Sequence, residues 1–439
     1  MRKKIAFTIC LVLLFWMSFT AQAQYVQKKV LTIEDCVEIA LKNSFQSRSA
    51  QENYNSAKWE LLGGWSGLLP SVDLSSGWSK TLRHGGIVDS FGVKVYRIVP
   101  SQADYRFNLG FNQTIFNGGA NWATYNLKRA GKKSAWDDLK LSEKSVELNV
   151  REGCYNLLKA QMLYEVQKDA VNKSIEQLKM AKARYDLGSA SLSDYLKAKV
   201  QLANDSLNLI TYANNVKLTE ATLNSLLGLD INTPLEIDAK LEYKKLETDL
   251  ESELKRALEK HPQIDKSKMG VNQAHSGLTI ARSANFPSVS FFGDYSWSDI
   301  GFPKSSRDWA NYDSWDIGIR VSINLFEGFA TTSNVRSAKA NLNLARENLK
   351  QSKRDLELEI RQAFLSVKEA EQKILLTEEA LKSAEEDLKL TQEKYNLGAA
   401  SILELLDANV SYKTAKSNQV QALYDYNLAV AKFEKAIHR

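Results

Sequence analysis

The chain is written twice. Long helical stretches and short strand pairs recur in the same order about 210 residues apart, so the fold must be assembled from two like halves. Tyr185-Asp186-Leu187-Gly188 returns as Tyr395-Asn396-Leu397-Gly398, and Ile115-Phe116-Asn117-Gly118 as Leu325-Phe326-Glu327-Gly328, both at an offset of 210. Further upstream, Pro70-Ser71-Val72 matches Pro287-Ser288-Val289 and Ala40-Leu41 matches Ala257-Leu258 at an offset of 217. The seven-residue change therefore falls between residues 72 and 115, where the first copy has the longer loop.

Proline is absent between Pro100 and Pro234 and again after Pro303, which permits very long helices in a chain of 439 residues. The N-terminus reads Met1-Arg2-Lys3-Lys4, an apolar run over residues 5–19, then Ala21-Gln22-Ala23, the pattern of an export signal cleaved after Ala23. The run is shorter than the roughly 20 residues a spanning helix needs. Loss of Arg2, Lys3 and Lys4 with that signal peptide, residues 1–23, takes the net charge from +6 to +3, too weak a bias to argue for nucleic acid. Cys10 leaves with the signal and does not sit at the junction, so it is no lipid-attachment cysteine. Of the remaining two, Cys36 and Cys154 could pair in an exported chain. Both lie in helical patterns without a counterpart in the other copy, which favours buried free thiols.

The second strand of each pair alternates cleanly. Tyr105, Phe107, Leu109, Phe111 and Ile115 oppose Arg106, Asn108, Gly110, Asn112 and Thr114, while Trp315, Ile317, Ile319, Val321, Ile323 and Leu325 oppose Asp316, Gly318, Arg320, Ser322 and Asn324. The preceding strands place Val72, Leu74 and Trp78 opposite Asp73, Ser75 and Ser79, and Val289, Phe291, Tyr295 and Trp297 opposite Ser290, Asp294 and Ser296. Each is close to the roughly 9–11 residues of a tilted membrane strand, though a soluble sandwich alternates too. Four strands cannot close a sheet, and open edges are not tolerated in lipid. Strands that span a membrane here require several chains to share one barrel. The aromatics Trp78, Tyr105, Phe111, Trp297 and Trp315 would then suit its interfacial girdle.

Amphipathic stretches over 32–63, opened by Thr32-Ile33-Glu34-Asp35, and over 250–283 precede the two strand pairs. Long helical runs follow them, over 121–187 and 331–397, each of roughly 66 residues and about 100 Å. Val367, Ile374, Leu381, Leu388 and Tyr395 are seven apart, as are Tyr164, Val171, Leu178 and Tyr185, a heptad pattern that implies left-handed supercoiling against neighbouring helices. Both runs stop at Leu-Gly, and further helices begin at Ser191 and Ser401, so each copy holds a long antiparallel hairpin with a tight turn.

An exported chain of this order, with Arg184-Tyr185-Asp186-Leu187-Gly188-Ser189-Ala190-Ser191-Leu192-Ser193-Asp194 and Tyr395-Asn396-Leu397-Gly398-Ala399-Ala400-Ser401-Ile402-Leu403-Glu404-Leu405-Leu406-Asp407-Ala408 at its turns, resembles the TolC-like outer-membrane efflux protein family. The resemblance covers essentially the whole mature chain. It implies a mainly α protein with a membrane β-barrel: a homotrimer whose subunits give four strands each to a 12-strand β-barrel in the cell outer membrane, continued by a periplasmic α-helical barrel. On this reading 24–227 is the first repeat, with its β-hairpin at 70–116 and helical turn at 187–191. Residues 228–249 form an equatorial link, and 250–439 is the second repeat, with hairpin 287–326 and turn 397–401.

The resemblance also implies partners: a periplasmic membrane-fusion adaptor protein, an inner-membrane transporter and outer-membrane lipid. By position, Gly188, Ser191, Leu192, Gly398 and Ser401 resemble the tip that meets the adaptor, and Asp194, Tyr395, Glu404 and Asp407 fall where the family narrows its periplasmic entrance. Glu404 stands where the best-known member has Asp. Ala400 stands where that member has a gate-linking Arg, so its inter-helix lock cannot be carried over. Threefold rings of Glu404 and Asp407 would attract cations, although acids at exposed helix positions are ordinary.

Signals for catalysis are absent. His84, His261, His275 and His438 show no metal-ligand spacing, Gly64-Trp65-Ser66-Gly67 lacks the second glycine of a nucleophile elbow, and no phosphate-binding loop occurs. No enzyme, metal or cofactor is expected, and transport energy would come from a partner. The expected function is a passive exit duct of a tripartite efflux pump or type I secretion system. The alternative is a trimeric periplasmic coiled-coil scaffold whose strands lie in water.

Overall fold

A computed structural model describes residues 29–81, 86–90, 93–97 and 102–438. The expected signal peptide and Cys10 lie outside the described residues. In chain order the elements are β1 (Lys29–Leu31), α1 (Ile33–Asn43), α2 (Phe45–Gly63), β2 (Ser71–Thr81), β3 (Gly86–Ser90), β4 (Val93–Arg97), β5 (Gln102–Asn117), α3 (Ala120–Asp186), α4 (Leu192–Leu227), β6 (Leu235–Ile237), α5 (Leu250–Lys260), α6 (Pro262–Ser283), β7 (Ser288–Asp299), α7 (Ser306–Asn311), β8 (Asp313–Ser322), α8 (Ala330–Asn396) and α9 (Ile402–Ala436). The chain is mainly helical, and α3 and α8 are both 67 residues long.

The stretches over 32–63 and 250–283 are each two helices rather than one. The chain turns extended at Ser44 (φ −64°, ψ 143°) and at His261 (φ −70°, ψ 132°). At His261 the cause is Pro262, whose ring pushes the preceding residue out of the helical region. At Ser44 the backbone N–H still closes α1 on the Ala40 carbonyl.

Contacts divide the chain into two compact units. The first comprises the described residues through Ser44, Asn149–Lys244 and Ala370–Leu428. Here β1 and β6 pair in parallel, Lys29 with Leu235 through Leu31 with Ile237. Thr32 caps α1 in a reciprocal exchange with Asp35, and Gly228 (φ 68°) ends α4. The link after α4 is fixed by buried Asn224, whose side-chain amide donates to the carbonyls of Ile231 (3.1 Å) and Thr233 (2.8 Å).

The buried seam of α3 in this unit is not the expected one. Ala160, Gln167, Ser174 and Ala181, also seven apart, are buried, whereas Tyr164, Val171 and Leu178 are half-buried and Tyr185 is exposed. The reason is Asp205 of α4. Its buried carboxylate accepts from Ser174 Oγ (2.6 Å), Gln201 Nε2 (2.9 Å), Lys413 Nζ (3.0 Å) and Gln167 Nε2 (3.2 Å), so small and polar residues of α3 face the polar node. Burial opposes the charge, but these hydrogen bonds and the Lys413 ammonium hold the carboxyl below the ordinary carboxylate range.

The second unit comprises Phe45–Leu148, Lys245–Glu369 and the described residues from Ala429 onward. Its centre is one four-stranded sheet of order β2-β5-β7-β8, antiparallel throughout, so among the described residues β2 and β8 are bare edges. The first connection, 82–101, is seven residues longer than the second, 300–312, which accounts for the change of offset. The described part of the first holds the β3–β4 hairpin and the second holds α7, neither announced by the sequence. Trp297 lies fully buried against Phe107 and Trp309 and donates from Nε1 to the Asp308 carbonyl (2.9 Å). Buried His261 caps α6 by accepting the Gln263 N–H on Nδ1 (3.1 Å), 5.4 Å from the His438 ring.

Candidate functional site

The two helical turns are built alike. At the end of α3, Gly188 (φ 73°) donates to the Tyr185 carbonyl (2.9 Å) and Ser189 N–H to that of Arg184 (2.8 Å). At the end of α8, Gly398 (φ 78°) donates to Tyr395 (3.0 Å) and Ala399 to Lys394 (2.8 Å). Paired bonds of this kind require a left-handed residue, which glycine supplies without steric cost. Serine then restarts each helix. The Asp194 carboxylate takes both the N–H (3.3 Å) and the Oγ–H (2.8 Å) of Ser191, and Glu404 Oε1 takes the Ser401 hydroxyl (3.0 Å). Two of the expected entrance acids thus hold helix starts.

Asp407 lies one turn beyond Glu404 and is exposed like it, so the two carboxylates share a face of α9. Tyr395, by contrast, is only 4% exposed, packed with Ile402, Leu405 and Leu406. Over its ring lies the Arg184 guanidinium, 4.2 Å from the centroid, whose Nη2 donates to the carbonyls of Tyr395 (2.5 Å) and Asn396 (3.1 Å). Burial raises the phenol's pKa, with Arg184 opposing. The expected tip residues Gly188, Ser191, Leu192, Gly398 and Ser401 all lie on the exposed turns, and a Cβ added at Gly188 or Gly398 would meet open space.

The sheet of the second unit has two unlike faces. One carries Val72, Leu74, Trp78, Leu109, Ile317, Ile319 and Val321, all exposed, and strand register joins them across all four strands: Leu74, Leu109, Tyr295 and Trp315 form one row, Val72, Phe111, Gly293 and Ile317 the next. Trp78 pairs with Tyr105 and Phe107 with Trp297 at the loop end, whereas Phe111 sits mid-sheet, away from that aromatic band. On the other face Asp73, Gly110, Asp294 and Asp316 fall in one row, with Ser75, Asn108, Ser296 and Ser314 in the next. Gly110 makes room there, since a Cβ would stand 3.0 Å from Asp294 Oδ1. Among the described residues no helix is long and apolar enough to cross a membrane, and no group of three or more His, Cys, Asp or Glu could hold a metal.

The sequence profile of the family described as outer membrane efflux protein matches residues 37–229 and 254–437. The chain belongs to that family. Outer membrane protein TolC of Vibrio cholerae is 21% identical to it over 404 residues, 91% of this chain and 88% of that protein. Outer membrane efflux protein BepC of Brucella suis is 25% identical over 188 residues, 43% of this chain and 39% of that protein. In fold the chain is similar to the Campylobacter jejuni CmeC outer membrane channel, with a TM-score of 0.80 at 19% identity over 95% of this chain and 90% of that one. Outer membrane efflux proteins of this TolC-like kind are channels and not enzymes, and this one is placed in the outer membrane.

Several residues that matter in this outer membrane efflux protein escape sequence reading. Leu187 and Leu397, the residues just before each turn glycine, are 82% and 85% exposed. Arg184 gives no local sign of reaching Tyr395, and Asp73, Asp294 and Asp316 fall in one row only through strand register. A signal existed for the leucines alone: each directly precedes the turn glycine in both copies.

Proposed function

We propose that the chain is the passive outer-membrane exit duct of a tripartite efflux pump or type I secretion system. Three copies share a 12-strand barrel continued by a periplasmic helical barrel, and the helical turns receive a periplasmic membrane-fusion adaptor coupled to an inner-membrane transporter. The observation that carries this reading is the exposed apolar face continuous across a sheet with two bare edges. In water such a face is a liability, and in lipid so are such edges. Pairing β8 of one copy with β2 of the next removes both, with the apolar rows toward lipid and the aspartate row toward the lumen. Tyr164, Val171 and Leu178 of α3, left partly uncovered, support helix contacts between copies.

Glu404 and Asp407, and independently the aspartate row, favour cations in the lumen. Asp194 and Tyr395 contribute to the entrance by shaping the turns. The test is conductance of the detergent-extracted mature protein in a planar bilayer under a salt gradient. Discrete cation-preferring steps are expected. Protein that extracts without detergent and conducts nothing would replace the duct with a periplasmic scaffold.

A further inference from the structure

The two cysteines of the mature chain, 118 positions apart in sequence, meet inside the first unit. Cys36 lies in the first turn of α1, its N–H on the Thr32 carbonyl (3.1 Å), and Cys154 lies on α3. Both are buried thiols with no disulfide between them in this structure, as the sequence favours; they are 0% exposed and share a hydrogen bond. Small residues let α4 pack closely beside both α3 and α1. Gly153, beside Cys154, leaves room for Leu223 and Leu226 of α4, whose side chains would stand 3.2 Å and 3.0 Å from a Cβ there. At the end of that helix Gly228 lies equally close to Asn43 of α1. The segment that precedes α1 is otherwise tied in by the three-residue pairing of β1 with β6.

An outer membrane protein folds on the periplasmic side, where thiols that can meet are oxidised. We propose that Cys36 and Cys154 form a disulfide in the mature protein, fastening the N-terminal helix to the long helix α3. The oxidant is a periplasmic thiol–disulfide oxidoreductase carrying a disulfide. One cysteine thiolate attacks it and displaces one donor thiolate; the other cysteine then attacks the mixed disulfide and releases the second. Two chain thiols are oxidised, the donor disulfide is reduced to two thiols, and the two protons pass to the donor. In the folded chain the hydrogen bond to Cys36 and then burial raise the pKa of the Cys154 thiol.

The proposal uses only the outer-membrane placement, and thiol counting reads it whether or not the protein conducts. Mature protein is extracted from outer membranes with N-ethylmaleimide present from lysis, denatured in the same reagent, and weighed intact. No adduct is expected without reductant and two after reduction, with a single linked peptide carrying Cys36 and Cys154. Two adducts without reductant, or linkage of either cysteine to a second chain, would overturn it.

Discussion

Arg184 of the first turn and Tyr395 of the second are joined twice, the guanidinium lying over the ring at 4.2 Å and donating to the same residue's carbonyl at 2.5 Å. The two turns of one chain are thereby held together by a residue 211 positions away from its partner. Loss of the cation–π contact and of the charge-assisted bonds should cost roughly 2 kcal/mol locally. In Arg184→Ala, amide exchange over 395–399 should accelerate by about thirtyfold at that cost, with Arg184→Lys intermediate. Exchange rates equal to the parent's would show that the contact holds nothing.

The buried carboxylate of Asp205 gathers Ser174, Gln201, Gln167 and Lys413. Asp205→Ala strands these groups, and a loss of about 3–5 kcal/mol is expected in denaturant unfolding. Because the folded pKa is depressed, the carboxylate's stabilisation is present above its unfolded value near 3.8 and is lost as the pH falls through the folded one. The variant should therefore lack the parent's loss of stability at the most acidic pH.

His261 titrates in a higher window. Burial, then the charges of His438 and Lys435, lower its pKa from 6.5 to about 4, and protonation would consume the Nδ1 lone pair that caps α6. The unfolded chain binds this proton more readily, so stability should fall as the pH drops from about 6.5 to about 4, by on the order of 3 kcal/mol. His261→Asn, which keeps a capping acceptor without a titrating one, should flatten that slope in melting curves between pH 7 and 4.

Selectivity has two candidate sources that substitution can separate. Glu404→Gln with Asp407→Asn should reduce the cation preference at the helical entrance, and Asp73→Asn with Asp294→Asn and Asp316→Asn should reduce it at the sheet. Reversal potentials measured on each set, and on both together, assign the shares. A potential unmoved by all five substitutions would remove carboxylates from the account of selectivity.

Docking at the turns should depend on their exposed leucines. Leu187→Ser with Leu397→Ser removes the apolar contact without disturbing the buried cluster around Tyr395, and Gly398→Trp adds bulk where nothing beyond the adjoining residues stands within 4 Å of a Cβ, although at φ 78° it also strains the turn. Both should weaken crosslinking to the adaptor by at least tenfold, on the basis that a buried leucine contributes about 1.5–3 kcal/mol. Full crosslinking in both variants would leave the turns as plain connectors.

What could be read from the sequence was whatever repeats locally. The 67-residue helices follow from an unbroken helical period without proline, and the turns follow from Leu-Gly with a serine three residues beyond each glycine. The strand faces follow from alternation, clean in the second strand of each pair and looser in the first, although β8 ends at Ser322, short of Ile323 and Leu325, and β5 slips register between Thr114 and Phe116. What could not be read depends on which helix approaches from which side. The heptad of Tyr164, Val171, Leu178 and Tyr185 outweighed the quieter one of Ala160, Gln167, Ser174 and Ala181, because nothing near residue 170 announces that Asp205 will arrive there. The helix starts at Ser191 and Ser401 were legible, whereas the resemblance places Asp194 and Glu404, which close on them, only at the entrance, and Arg184 and the row of Asp73, Asp294 and Asp316 needed contacts between distant segments.

In the proposed barrel the bare β2 and β8 edges would make the fate of each copy collective. A subunit with proline at Ile319, its β8 edge spoiled, would still offer an intact β2 to a normal neighbour and be taken into a ring that could not finish. In a three-copy barrel the yield of complete rings falls as the cube of the normal fraction. A mutant gene expressed beside the normal one would behave as dominant, its product sequestering good subunits instead of merely being absent.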